Sequence, residues 1–259
     1  MARAIFFLSI HSIYINKVIS LFKYRRIWRK ELKLLHDQHP GWYASLNSER
    51  YFKRWRESLQ PGRSTMADEV PWLTFRAIDL LKAHVNSSMS VFEYGGGGST
   101  MFLTRIAGKV VTIEHNEEWF ASLTKQCAEK QRRNWEGFYV SAEPGAPNDS
   151  SVANPDDYIS DDEQYRGMNF KNYASFIERY PEGFFDIIIV DGRARPSCTK
   201  HAIPRLRKGG WLLIDNTDRD YYLEAFHSIL FDQFEIVLHE KGPAPYCTWF
   251  TQTSIWRKK

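Results

Sequence analysis

Residues 90–100 read Ser90-Val91-Phe92-Glu93-Tyr94-Gly95-Gly96-Gly97-Gly98-Ser99-Thr100, an apolar run into four glycines and then two residues suited to cap a helix. Such a stretch predicts a strand, a sharp turn and a helix start. Glycines let the backbone turn tightly and approach a ligand with no Cβ in the way, and the helix N-terminus offers free N–H groups. Glu93 falls at the strand's carboxyl end, where a carboxylate can meet a cationic or hydrogen-bond-donating group. The next apolar run, Val110-Val111-Thr112-Ile113, ends in Glu114, about 20 residues after the turn. In nucleotide-binding βαβ units an acid there grips ribose hydroxyls.

Outward from this segment, apolar runs alternate with helical patterns. Strands are expected at Ser90–Tyr94, Val110–Glu114, Phe138–Ser141, Phe185–Val190, Trp211–Ile214, Phe234–Leu238 and Thr248–Ile255, with helices over Thr100–Ala107, Glu117–Arg132, Cys198–Leu206 and Tyr221–Leu230. The alternation implies a mostly parallel sheet covered on both faces. Only the loop Glu240–Tyr246 separates the last two strands, which is too short for a crossover, so they should pair antiparallel. The Pro-, Asn-, Asp- and Ser-rich stretch 143–163 reads as a surface insertion.

Residues 1–85 lack strand alternation and read as a helical N-terminal extension, punctuated by Pro40-Gly41 and Pro61-Gly62. Ile5–Phe22 is mostly apolar, but Ser9, Ser12, Asn16 and Ser20 form a polar stripe at helical spacing and basic residues flank it. Two readings stay open: an interfacial helix giving residues 1–30 a peripheral membrane contact, or a helix packed on the protein's own core or a partner. The division expected is therefore 1–85 as extension and 86–259 as the sheet domain. The 259 residues, 43% of them hydrophobic and 15% aromatic, can supply a substantial core. A net charge of +4 without a basic, aromatic-interleaved stripe disfavours nucleic acid as a partner. Three scattered cysteines suggest neither a disulfide framework nor zinc, and fit a reducing, cytoplasmic compartment.

The strand, acid and Gly-x-Gly of Glu93, Gly95 and Gly97, followed by Thr112-Ile113-Glu114-His115-Asn116, resemble the first two motifs of the class I, seven-strand, Rossmann-like S-adenosylmethionine-dependent methyltransferases. Ser99 stands where that family usually has a third glycine. The resemblance runs from Ser90 to the C-terminus and implies a doubly wound α/β sheet with an antiparallel C-terminal strand. It also implies that Glu93, Gly95, Gly96, Gly97, Ser99, Glu114 and Asp191 hold the cofactor. A nicotinamide dehydrogenase fits less well: it expects a further glycine where Thr100 stands, and Glu93 would repel a pyrophosphate.

Asp191, ending Phe185–Val190, and Asp215-Asn216, ending Trp211–Ile214, should meet at the sheet's carboxyl edge. Their oxygens suit a hard divalent ion. The layout is similar to that of catechol-type O-methyltransferases, which implies Mg²⁺ on Asp191, Asp215 and Asn216 and places Asp191 and Asp215 as catalytic residues acting on the hydroxyl of a small-molecule acceptor. The alternative is that the two acids cap turns and line the site without metal. Arg193, Arg195 and His201 are softer candidates for anion binding or base chemistry. Tyr221, Tyr222 and Pro245–Trp249 are candidates for an aromatic acceptor wall. A non-catalytic binding module of the same fold, tethered by its N-terminal helix, is the alternative to an enzyme.

Overall fold

The computed structural model describes residues 22–43 and 48–259. The Ile5–Phe22 segment, and with it the choice between interfacial and packed helix, lies outside the described residues apart from Phe22. No helix among the described residues is long and apolar enough to cross a membrane.

Helices come first. Residues 22–38 form α1, followed by α2 (Pro40–Tyr43), α3 (Ser48–Ser58), α4 (Thr65–Asp68) and α5 (Phe75–His84). Alternation then begins with β1 (Ser90–Tyr94), α6 (Gly98–Leu103), β2 (Lys109–Glu114), α7 (Glu117–Glu129) and β3 (Trp135–Tyr139). Within 143–169 a two-residue ladder pairs β4 (Glu143–Pro144) with β5 (Met168–Asn169), and α8 (Lys171–Ser175) follows. The chain closes with β6 (Phe185–Val190), α9 (Arg195–Arg205), β7 (Leu206–Asp215), α10 (His227–Gln233), β8 (Phe234–Pro243) and β9 (Phe250–Lys258).

Seven strands form one sheet in the order β3-β2-β1-β6-β7-β9-β8. All the pairings from β3 through β7 are parallel, and β9 runs antiparallel to both of its neighbours. Strand order reverses between β1 and β6, so the carboxyl ends of those strands open a crevice where such sheets bind ligands. Every residue of β6 is buried, which explains the β-branched run Ile187–Val190: helices cover both faces. One face carries Phe92, Ile113, Ile188 and Leu212 against α8, α9 and α10. The other carries Val91, Val110, Ile187 and Leu213 against α1, α3, α5 and α6.

The helices of 22–85 thus share a core with the sheet. Trp28 sits 5.0 Å from Phe250, 5.4 Å from Phe52 and 5.2 Å from Trp55, ring centre to ring centre. Trp55 is fully buried and its indole N–H donates to the Cys247 carbonyl at 2.8 Å. Burying a tryptophan removes about 150–250 Å² from water, on the order of 4–6 kcal/mol of transfer free energy before ordering costs. Polar ties join the same face: Phe250 N–H donates to Glu31 Oε2 at 2.9 Å, and Thr74 N–H to Thr253 Oγ1 at 3.0 Å.

Three local expectations shift. β3 starts at Trp135 rather than Phe138, because its register is set by pairing Val110 through Glu114 of β2. The helix expected over Tyr221–Leu230 breaks into 3-10 turns at Asp220–Tyr222 and Glu224–Phe226 before α10; the hydroxyls of Tyr221 and Tyr222 are drawn to Asp161. α6 starts at Gly98, with Gly97 as its cap and the Thr100 hydroxyl accepting the Gly97 N–H at 3.0 Å.

Gly98 shows how tightly α4 is set against α6. A Cβ there would stand 2.3 Å from the Thr65 carbonyl oxygen and 2.5 Å from that of Val70, both backbone atoms. Gly98→Ala should therefore cost about 1–3 kcal/mol in denaturant unfolding. Gly41→Ala, in open space on α2, should be neutral or stabilising; equal effects would refute the close packing.

Candidate ligand site at the strand switch point

The β1 turn lies where three parts of the chain converge. Gly95 has φ 86°, and a Cβ on it would sit 2.9 Å from the Gly192 Cα in the neighbouring turn after β6. Its N–H donates to the Ile113 carbonyl at 2.9 Å, tying the turn to β2. Over the turn opens a cavity of about 780 Å³, lined by Gly95–Ser99, the Glu114–Asn116 loop, the Asp191–Arg193 turn, Asp215 and Asn216. The N-terminal region adds Thr65 and Trp72, α7 adds Trp119, and the segment between β3 and β6 adds Gln164 and Tyr165.

Of the residues singled out in the sequence, Gly95, Gly96, Gly97, Ser99, Glu114, Asp191, Asp215 and Asn216 all line this one cavity. Glu93 does not. It is fully buried beneath the turn, where Thr100 Oγ1 donates to its Oε2 at 2.5 Å and Thr112 Oγ1 donates to the same oxygen at 3.1 Å. Gly97 N–H donates to Thr100 in turn, and Trp135 Nε1–H to Thr112 at 3.2 Å. Glu93 is therefore the underside anchor of the glycine turn. Burial pushes its carboxyl up to about 7, against the hydroxyl hydrogen bonds that favour the anion.

Glu114 is held differently. Its Oε1 accepts the N–H groups of His115 and Asn116, each at 2.8 Å, and its Oε2 accepts Gly96 N–H at 3.0 Å. Burial works against the anion, but His115 and these amides win and hold the carboxyl below its usual range. Trp119, in the first turn of α7, donates its indole N–H to the Gly96 carbonyl at 2.6 Å and flanks Gly97.

At the far side of the switch point, Asp191 and Asp215 approach one another around Arg195. Burial, then the Asp215 charge, raises the Asp191 carboxyl, with Arg195 opposing. Burial raises Asp215 to about 6, with Arg195 and the Thr253 hydroxyl opposing. Asp215 Oδ1 accepts from Thr253 at 2.6 Å, and the Asn216 side-chain amide donates to Thr251 at 2.9 Å. These contacts do not fit the expected Mg²⁺ site. A guanidinium stands against both carboxylates, and among the described residues no three His, Cys, Asp or Glu side chains are grouped to hold a metal.

Arg193 and Arg219 also line the cavity but are neutralised by the 143–169 segment: Arg193 pairs with Asp162 at 2.9 Å and Arg219 with Asp161 at 2.6 Å. His201 lies outside the lining, between the Tyr158 hydroxyl at 3.2 Å and Glu178 at 2.8 Å. Tyr221 and Tyr222 are also outside it, bound to Asp161, whereas Cys247 and Trp249 do line the cavity. Trp119 carried a weak signal, one turn past the second motif. Thr65 and Trp72 carried none, since nothing local ties the N-terminal region to the glycine turn.

The raised Glu93 carboxyl has a stability consequence. Folded Glu93 holds a proton that the unfolded chain releases near pH 4.5, so its contribution is present below that pH and is lost as pH rises through about 7. Glu93→Gln should remove this term. Unfolding free energies of variant and parent should then diverge in the variant's favour by on the order of 3 kcal/mol between pH 4.5 and 8; parallel profiles would refute a protonated Glu93.

No family model matches the sequence, and no curated protein matches it. Among solved structures it is similar to the O-methyltransferase of tomaymycin synthesis from Streptomyces achromogenes, solved with S-adenosylmethionine, at 15% identity and TM-score 0.52 over 80% of this chain and 98% of that one. A candidate O-methyltransferase from Klebsiella pneumoniae matches at 14% identity and TM-score 0.50 over 82% and 89% of the two chains. A tRNA (m1A58) methyltransferase from Aquifex aeolicus matches at 18% identity and TM-score 0.43 over 69% and 66%. At such identities the likeness is one of architecture: the chain has the seven-strand Rossmann-like fold of the class I S-adenosylmethionine-dependent methyltransferases.

Proposed function

We propose that this chain is an S-adenosylmethionine-dependent methyltransferase acting on a hydroxyl oxygen of a small molecule. The observation that carries the reading is the convergence of the glycine turn, the backbone-held Glu114 carboxylate and the Asp191–Asp215 pair on one cavity at the switch point. The volume of that cavity suits a cofactor and a small acceptor together. With Arg193 and Arg219 matched by Asp162 and Asp161, the remaining ionisable lining residues are Arg195 against Asp191, Asp215, Glu114 and Glu118, an excess of acids that favours a cationic ligand. A sulfonium cofactor supplies such a charge together with an activated methyl.

In this reading the Gly95–Ser99 backbone takes the amino acid end of the cofactor and Glu114 Oε2 accepts from a ribose hydroxyl. Glu93 holds the turn from below. Trp119, Tyr165 and Gln164 shield the cavity from water. Asp191 and Asp215 face the acceptor, and Asp215, pushed up to about 6, suits transient protonation by an acceptor hydroxyl. The half-exposed Trp72 and Trp249 line the same cavity and offer flat apolar faces to a small ring better than to a polyanion.

Calorimetric titration of the purified chain tests this. S-adenosylmethionine should bind and NADH should not. Glu114→Ala should weaken the methyl donor by about 10- to 100-fold, the value of a hydrogen bond to a charged group, while Glu129→Ala, exposed at the far end of α7 and outside the lining, should leave it unchanged. Undiminished affinity in Glu114→Ala would remove the ribose assignment, and no binding by the parent would remove the cofactor.

A further inference from the structure

Arg195 sits where a residue of its kind has no local reason to be. It opens α9, and a cation at a helix N-terminus opposes the macrodipole by about 0.3–1 kcal/mol. The residue before it, Ala194, adopts left-handed backbone at φ 46°, a conformation that costs about 1 kcal/mol outside glycine. Tertiary contacts over-determine this placement. Arg195 is 9% exposed and reaches the cavity. Its Nε–H donates to the Gly192 carbonyl at 3.0 Å, its Nη2 to Asp191 Oδ1 at 3.0 Å, and its Nη1 to the Asp215 carbonyl while standing 4.0 Å from Asp215 Oδ2. The guanidinium lies over the Tyr222 ring, 5.2 Å from its centre.

A hard divalent ion on this edge needs about six oxygen ligands in octahedral array. Arg195 already occupies the positions between the two carboxylates, and its charge repels a second cation there. We propose that Arg195 is the resident cation of this site and takes the electrostatic place of the divalent ion expected from the sequence. It is a positioning residue: it holds the Asp191 carboxylate and the Asp215 backbone carbonyl, and sets its positive charge beside both acids. The acid side of the site that it leaves unpaired faces the ligand. The identity of that ligand rests on the methyltransferase reading, but the exclusion of metal by Arg195 does not.

The test is Mn²⁺ binding followed by the loss of the free-ion electron paramagnetic resonance signal, with Mg²⁺ competition, on the full chain. The parent should show no ion whose binding depends on Asp191. Arg195→Gln, which keeps a polar amide donor but removes the charge, should gain an ion at least about tenfold tighter than any parent site. The gain should vanish in the Arg195→Gln/Asp191→Asn double variant, and Arg195→Lys, which restores the cation, should not show it. A parent that binds Mn²⁺ and loses it on Asp191→Asn overturns the proposal, as does a folded Arg195→Gln that gains nothing. Should Arg195→Gln fail to fold by circular dichroism, the comparison of parent with Asp191→Asn decides alone. Calorimetry with S-adenosylmethionine in the same samples separates the two readings, because its failure removes the cofactor and leaves the ion result standing.

Discussion

The close approach of the glycine turn to its neighbours is the constraint on which the site depends. Gly95 lies against the turn after β6, and Gly98 against the backbone of Thr65 and Val70. Neither position has room for a methyl group. The turn can be this crowded because it is anchored from below: Glu93 gathers the hydroxyls of Thr100 and Thr112, and those in turn take the N–H of Gly97 and the indole of Trp135. A buried carboxyl is costly unless hydrogen-bonded. Here that need ties α6, β1, β2 and β3 into one rigid floor beneath the cavity.

Charge arrangement on the cavity side follows a second rule. Each arginine that lines it meets an acid from elsewhere in the chain, Arg193 with Asp162, Arg219 with Asp161, and Arg195 with Asp191 and Asp215. The segment between β3 and β6 therefore does more than bridge two strands. By supplying Asp161 and Asp162 it cancels two cations that would otherwise face the ligand, and it contributes Gln164 and Tyr165 to the wall. The N-terminal region adds Thr65 of α4 and Trp72 of the α4–α5 connection to the wall, and the core it shares with the sheet around Trp28 and Trp55 fixes it there.

The seven strands were legible because each is a short apolar run, and β6 most of all, since burial on both faces favours apolar residues throughout Ile187–Val190 and admits Asp186 at its start only with the Ser90 N–H and Arg207 as partners. The antiparallel closure was legible from the short loop between the last two strands. Boundaries were less so: β3 begins at Trp135 because Val110–Glu114 dictate its register, a partner well separated in sequence. Glu93 was legible as a special residue but not as a buried one. An acid at a strand end looks the same whether it faces a ligand or a pair of threonines.

The sequence by itself determined the order of strands and helices, the glycine turn, and the acid that ends the following strand. Those depend on local periodicity and on backbone conformations that few residues allow. Only the tertiary structure decided which charge neutralises which. Arg195 reads as one basic residue among several in a βα loop; only its distances to the Asp191 carboxylate and the Asp215 carbonyl show it between the two strand ends. Electrostatic partnership depends on separation and burial in space, and neither is written in the spacing of residues along the chain.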